Sequence, residues 1–211
     1  MPSTADRPDP KVDRDAVRRF GGPLCGVDEV GRGPWAGPVV VAAVLAEPGR
    51  LPAGVADSKA LTAAARADLF ERICGVAEVS IVFATAERID RLNIRGATLW
   101  AMGRAVAGLS SRPAGALIDG RDVPGGLCCP GLALIGGDGL SPSIAAASIV
   151  AKVVRDRLMT VLGEAVPGYG FERHKGYGTP EHAAALTRLG PTVHHRRSFA
   201  PIRALLAAAA V

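Results

Sequence analysis

The sequence predicts an α/β fold, a central sheet of mixed direction with helices on both faces, and three observations carry that reading. Hydrophobic residues make up 48% of the 211, enough apolar surface to offset the entropy of ordering and to exclude a disordered chain. Segment 38–45, PVVVAAVL, is a continuous β-branched run of the kind found in strands covered on both faces. Strand patterns come first and then interleave with helical ones, as in a layered sheet-and-helix core. One domain over residues 17–211 is expected at this length, after a disordered arm over residues 1–16 rich in Asp, Arg and Pro.

The elements follow in order. Residues 24–30 read as a strand, joined through a short Gly-rich link to 38–45, so these two form a hairpin. Residues 62–77 have helical spacing with Thr62 as N-cap, and 79–84 alternate as a strand. Residues 86–92 and 95–109 read as two helices. Short apolar strands over 115–118 and 132–135 close on Asp119-Gly120 and on Gly136-Gly137-Asp138. Ser141-Pro142-Ser143 supplies cap and first-turn signals for a long helix over 143–162. Helices over 180–189 and 202–210 complete a helical C-terminal part.

Composition removes several classes. The 26 glycines show no triplet period, no heptad persists, and the longest apolar runs are too short to span a bilayer, so a cytoplasmic protein with no membrane partner is expected. The four cysteines form no Cys-x-x-Cys pair and read as reduced, mostly buried thiols. Residues 1–151 carry 16 Lys and Arg against 16 Asp and Glu, whereas 152–211 carry 9 against 4. That C-terminal excess suits a polyanion such as nucleic acid, and equally a solvated basic face with no partner.

The carboxylates are the informative residues. Asp28, Glu29, Asp119 and Asp138 each follow an apolar strand, beside or just before glycine, where ligands bind in open α/β sheets. Acids gathered there repel one another unless cations neutralise them, and oxygen donors without His or Cys suit Mg²⁺ or Mn²⁺. Consecutive strand residues point to opposite faces, so Asp28 and Glu29 reach one site only if strand regularity ends between them and Gly31. Taken singly, each acid is equally well an ordinary turn residue at a strand end.

Gly31-x-Gly33-x-x-x-Gly37 is one residue too long for the dinucleotide fingerprint and leads into a strand, and no Walker motif is present. The glycines suit close approach of the backbone to sugar hydroxyls and phosphates.

The segment Gly-Val-Asp28-Glu29-Val-Gly31-Arg32-Gly33-Pro-Trp-Ala-Gly37-Pro resembles the opening signature of the bacterial type 2 ribonucleases H, the ribonuclease HII family. The similarity continues in order through Asp57-Ser58-Lys59-Ala-Leu61, Leu-Ile-Asp119-Gly120, Gly137-Asp138, Ser143 to Asp156, His174-Lys175-Gly176-Tyr177-Gly-Thr179 and His195-Arg196-Arg-Ser198-Phe199. The resemblance implies an RNase H-like fold and an endonuclease that cuts the RNA strand of RNA/DNA hybrids and single ribonucleotides embedded in duplex DNA. The family's four catalytic, metal-binding acids fall on Asp28, Glu29, Asp119 and Asp138. Its ribose-sensing loop falls on Gly31, Arg32 and Gly33, and its junction-sensing tyrosine on Tyr177. Two ions about 4 Å apart would clamp the scissile phosphate, leaving 5'-phosphate and 3'-hydroxyl ends. Recognition of the 2'-hydroxyl is what separates RNA from DNA.

Weaker candidates keep two readings. Ser58 and Lys59 grip backbone phosphate in the family, or form an ordinary loop leading into a helix. Ser148, Lys152, Arg155 and Asp156 share a helical face; Lys152 or Arg155 reaches phosphate, or Lys152 pairs with Asp156 at i and i+4. Tyr177 stacks on a sugar or packs. His194, His195, Arg196 and Arg197 lack ligand spacing and read as a basic surface or a brace. Trp35 and Trp100 read as packing residues. A monomer is expected. A non-catalytic hybrid-binding module and a phosphotransferase on a similar fold are the competing functions; the chain is too short for the paired phosphate hairpins the latter needs.

Overall fold

The structure is a computed structural model that describes residues 8–47, 49–56, 58 and 61–208. Its elements run α1 (Pro10–Phe20), β1 (Leu24–Val30), β2 (Val39–Leu45), α2 (Ala63–Cys74), β3 (Glu78–Ala84), α3 (Ala86–Ala107), β4 (Gly115–Asp119), β5 (Gly131–Leu134), α4 (Pro142–Ala165), α5 (Phe171–His174), α6 (Pro180–Leu189) and α7 (Ala200–Ala208). The sheet has the order β3-β2-β1-β4-β5. β1 is antiparallel to β2 in an unbroken register from Cys25↔Leu45 to Val30↔Val40, parallel to β4, and β4 is parallel to β5. The mixed sheet and the first hairpin match the sequence reading.

The chain clusters into two compact units. Residues 1–30, 40–82 and 99–153 form the first; 31–39, 83–98 and 154–211 form the second. In the first, Leu24 of β1 and Leu117 of β4 meet Ala16 of α1 and Ile144 of α4, with Leu132 and Leu134 of β5 packed against them. Cys25 and Val27, on the other face of β1, are fully buried too, so this sheet is covered on both sides. Gly26 lets the start of α4 approach β1, since a Cβ there would sit 2.1 Å from the Ser143 carbonyl carbon. In the second unit, Ala36, Met159, Tyr169, Phe171, Ala185, Leu186 and Ile202 form a separate core.

Two expectations need correction. Of the residues 1–16 read as a disordered arm, 10–16 are helical: Asp9 caps α1 by accepting from the Lys11 N–H, and Gly21 ends it at φ +73°. Val12, Ala16, Val17 and Phe20 make an apolar stripe that packs on the sheet, and the charged residues between them hid it. Residues 1–7 lie outside the described residues. The cysteines are not mostly buried, because Cys25 is buried while Cys74 is exposed and Cys128 and Cys129 are half-buried. The two helices expected over 86–109 are present as the two halves of α3, separated at Asn93, which sits at φ 57° and ψ 171° and accepts from the Gly96 N–H. Among the described residues no helix is long and apolar enough to cross a membrane.

Candidate active site

Parallel pairing of β1 with β4 brings the carboxyl ends of both strands to the same edge of the sheet, and the acids stand there. One carboxylate oxygen from each of Asp28, Glu29 and Asp119 lies within 4.8 Å of the other two. Regular pairing with β2 continues through Val30, whereas pairing with β4 ends at Val27, so both acids lie past the last paired residue on the β4 side. The Glu29 N–H donates to Asp28 Oδ1 (2.7 Å), which holds that carboxylate beside the next residue.

Asp138 is not part of the three-acid group. It lies in a short 3-10 turn, Gly137–Gly139, where its Oδ1 accepts from the Gly139 N–H (3.1 Å). The preceding residue ties that turn to the site, for the Gly137 N–H donates to Asp119 Oδ1 at 2.6 Å.

Asp28 is 5% exposed. Burial first, then the charges of Glu29 and Asp119, hold its carboxyl well above the usual carboxylate range, while hydrogen bonds from Ser148 and the Glu29 N–H act the other way. A cluster of carboxylates under mutual repulsion, with no nitrogen or sulfur donor in the group, fits a hard divalent cation. Ser148 and Ser58, both buried, share a hydrogen bond of 3.0 Å, so a two-serine chain stands behind Asp28. Lys152 of α4 is half-buried in this unit. Lys59 lies outside the described residues.

The second unit holds the Gly31–Gly33 loop and Tyr177. Gly31 is buried at φ +90°, and a Cβ there would lie 2.1 Å from Arg155 Nε. Arg32 and Gly33 are exposed. Gly33 needs no left-handed backbone, and its Cβ would make only ordinary contact, 3.7 Å from Tyr177 Cε1. Tyr177 itself is 45% exposed.

Two residues the sequence left undecided prove to be internal braces. Arg155 and Arg196 are fully buried. Arg155 donates to the carbonyls of Pro38, Lys175 and Ala36; Arg196 donates to those of Gly37, Arg32 and Gly31. Burial, and then the like charge of Arg155, push the Arg196 guanidinium down to about 9, which still leaves it charged at neutral pH. The surrounding HHRRSF stretch is held by Asp90, which accepts from the Arg197 and Ser198 N–H groups and the Ser198 hydroxyl. A signal for Arg155 was present, since positions 148, 151, 155 and 159 are one buried helical stripe.

The ribonuclease HII family model matches residues 25–202. This chain belongs to the ribonuclease HII family. Among its relatives, ribonuclease HII of Azorhizobium caulinodans is 61% identical over 194 residues, covering 92% of this chain and 74% of the relative. That of Xanthobacter autotrophicus is 63% identical over 181 residues, covering 86% and 72%. The crystal structure of ribonuclease H2 from Pyrococcus horikoshii superposes with a TM-score of 0.74 at 25% identity, over 87% of this chain and 96% of that one. The fold is therefore that of the type 2 ribonucleases H, and the chain is an RNase H endonuclease, a phosphodiester hydrolase.

Proposed function

We propose that this ribonuclease HII cuts the RNA strand of RNA/DNA hybrids and cuts 5' of single ribonucleotides embedded in duplex DNA, leaving 5'-phosphate and 3'-hydroxyl ends. The observation that carries the reading is the convergence of Asp28, Glu29 and Asp119 within 4.8 Å. In this proposal those three and Asp138 hold the metal, Mn²⁺ or Mg²⁺, two ions during catalysis. Bound divalent ions supply an activated water and offset charge on the phosphate and the departing 3'-oxygen.

The chain's own residues supply placement. Ser58 and Ser148 hold the Asp28 carboxyl in place, and Lys152 is the candidate phosphate contact of that unit. Gly31, Arg32 and Gly33 contact the 2'-hydroxyl and the adjoining phosphate, and Tyr177 stacks on the deoxyribose 3' of the ribonucleotide. The exposure of Arg32, Gly33 and Tyr177 supports this assignment. The setting is ribonucleotide excision repair and RNA primer removal in the cytoplasm, by a monomeric enzyme with one catalytic domain.

Incubation with Mn²⁺ and a duplex carrying one ribonucleotide tests the reading. A single nick 5' of the ribonucleotide is expected, with a 3'-hydroxyl that a polymerase extends. No cleavage above a control without enzyme would leave a hybrid-binding module instead.

A further inference from the structure

We propose that Arg196 is a positioning residue for ribonucleotide selectivity, acting through the backbone of the Gly31–Gly33 loop. The inference rests on the assignment of that loop to sugar recognition. A fully buried guanidinium is costly, and here its charge is met by main-chain carbonyls of one loop: Arg32 and Gly31 at 2.8 and 2.6 Å, and Gly37 at 3.0 and 2.9 Å. A helix or strand would hold such carbonyls in a ladder; this loop uses the planar fork of one side chain.

The fork fixes the spacing between the start of the loop and its end. The Arg196 N–H also donates to the Trp35 carbonyl, and the N–H groups of Trp35 and Ala36 donate to Gly176, next to Tyr177. The phenyl ring of Phe199 lies 5.1 Å from the guanidinium carbon and closes the other side. Lysine cannot reproduce this, having one nitrogen where three are used. Arg32 and Gly33 are exposed, so Arg196 grips the loop from the interior side and leaves its outer edge to a ligand.

The test uses Asp28→Asn as the parent, so that binding is read without cleavage. The affinity of the parent for a duplex with one ribonucleotide is divided by its affinity for the same duplex in all-DNA form. In the parent carrying Arg196→Lys or Arg196→Gln this ratio is expected to fall about tenfold, and amide hydrogen exchange over residues 31–37 to rise while β1 stays protected. In the otherwise native chain, Arg196→Lys is expected to lower kcat for the ribonucleotide duplex more than tenfold. An unchanged ratio with native-like kcat in folded Arg196→Lys overturns the proposal while leaving the sugar-sensing loop intact. A parent with no ribonucleotide preference overturns the loop assignment itself, and the proposal with it. Should Arg196→Gln fail to fold, Arg196→Lys alone decides.

Discussion

His195 Nε2 lies 3.0 Å from His182 Nε2, and the partners on either side fix which ring carries which proton. The Thr192 N–H donates to His195 Nδ1, so the proton of His195 is on Nε2 and is given to His182. His182 then carries its own proton on Nδ1 and donates to the Tyr177 carbonyl at 2.9 Å. A chain of two neutral imidazoles thus anchors the main chain of the exposed tyrosine.

That chain has no place for an added proton. Burial first, then the charges of His182 and His194, push His195 down to about 4, and burial lowers His182 as well, with His174 adding to it and Glu181 opposing. A histidine depressed on folding binds protons better in the unfolded chain. Its contribution to stability is therefore complete above roughly pH 6.5 and is lost as pH falls toward 4. Thermal melting between pH 7 and 4 is expected to show this decline. His195→Asn is expected to be less stable at pH 7 and to have a shallower acid slope; parallel slopes would sink the assignment.

Asp28 works in the opposite sense. Its carboxyl is held above the usual range by burial and by Glu29 and Asp119, so its contribution to metal-free stability is complete below roughly pH 4 and is lost as pH rises through the raised value. Asp28→Asn is expected to melt higher than the native chain in metal-free buffer at pH 7, and to lose cleavage entirely. Mn²⁺ is expected to raise the melting temperature of the native chain far more than that of the variant.

Gly31 and Gly33 separate fold from function. Gly31→Ala puts a side chain at positive φ and against Arg155, and a loss of stability of about 1–3 kcal/mol is expected. Gly33→Ala meets only ordinary contact with Tyr177, so its stability should stay within about 0.5 kcal/mol of native. Its cleavage of ribonucleotide duplexes is nonetheless expected to fall at least tenfold. Equal melting losses in the two variants would contradict this reading.

Tyr177→Ala is expected to impair cutting at isolated ribonucleotides more than along continuous hybrids, because the proposed stacking on the junction sugar acts only where RNA gives way to DNA. Parallel rate measurements on both substrates decide it, and equal loss would remove the sensing role.

The strands, the hairpin and the acids were legible because each leaves a local mark: a β-branched run, a glycine-bounded turn, a carboxylate after an apolar stretch. The meeting of Asp28 with Glu29 was not, since strand alternation places consecutive side chains on opposite faces and the hydrogen bond from the Glu29 N–H to Asp28 is not encoded in spacing. The role of Arg196 was hidden, and that of Arg155 was marked only by its place on a helical stripe, for a related reason. A charged residue ordinarily signals surface, and only the folded chain supplies the six carbonyl acceptors that let two guanidinium groups lie inside.

The fork of Arg196 reaches back 159 to 165 positions to Gly37, Arg32 and Gly31. During synthesis, all four acids and both serines leave the translation machinery before any of the clamp that shapes the glycine loop exists. A nascent chain that stalls near residue 190 would hold the three converging acids and lack the side chain that ties down the glycine loop. The interior brace of that loop is thus the last of these parts to be synthesised.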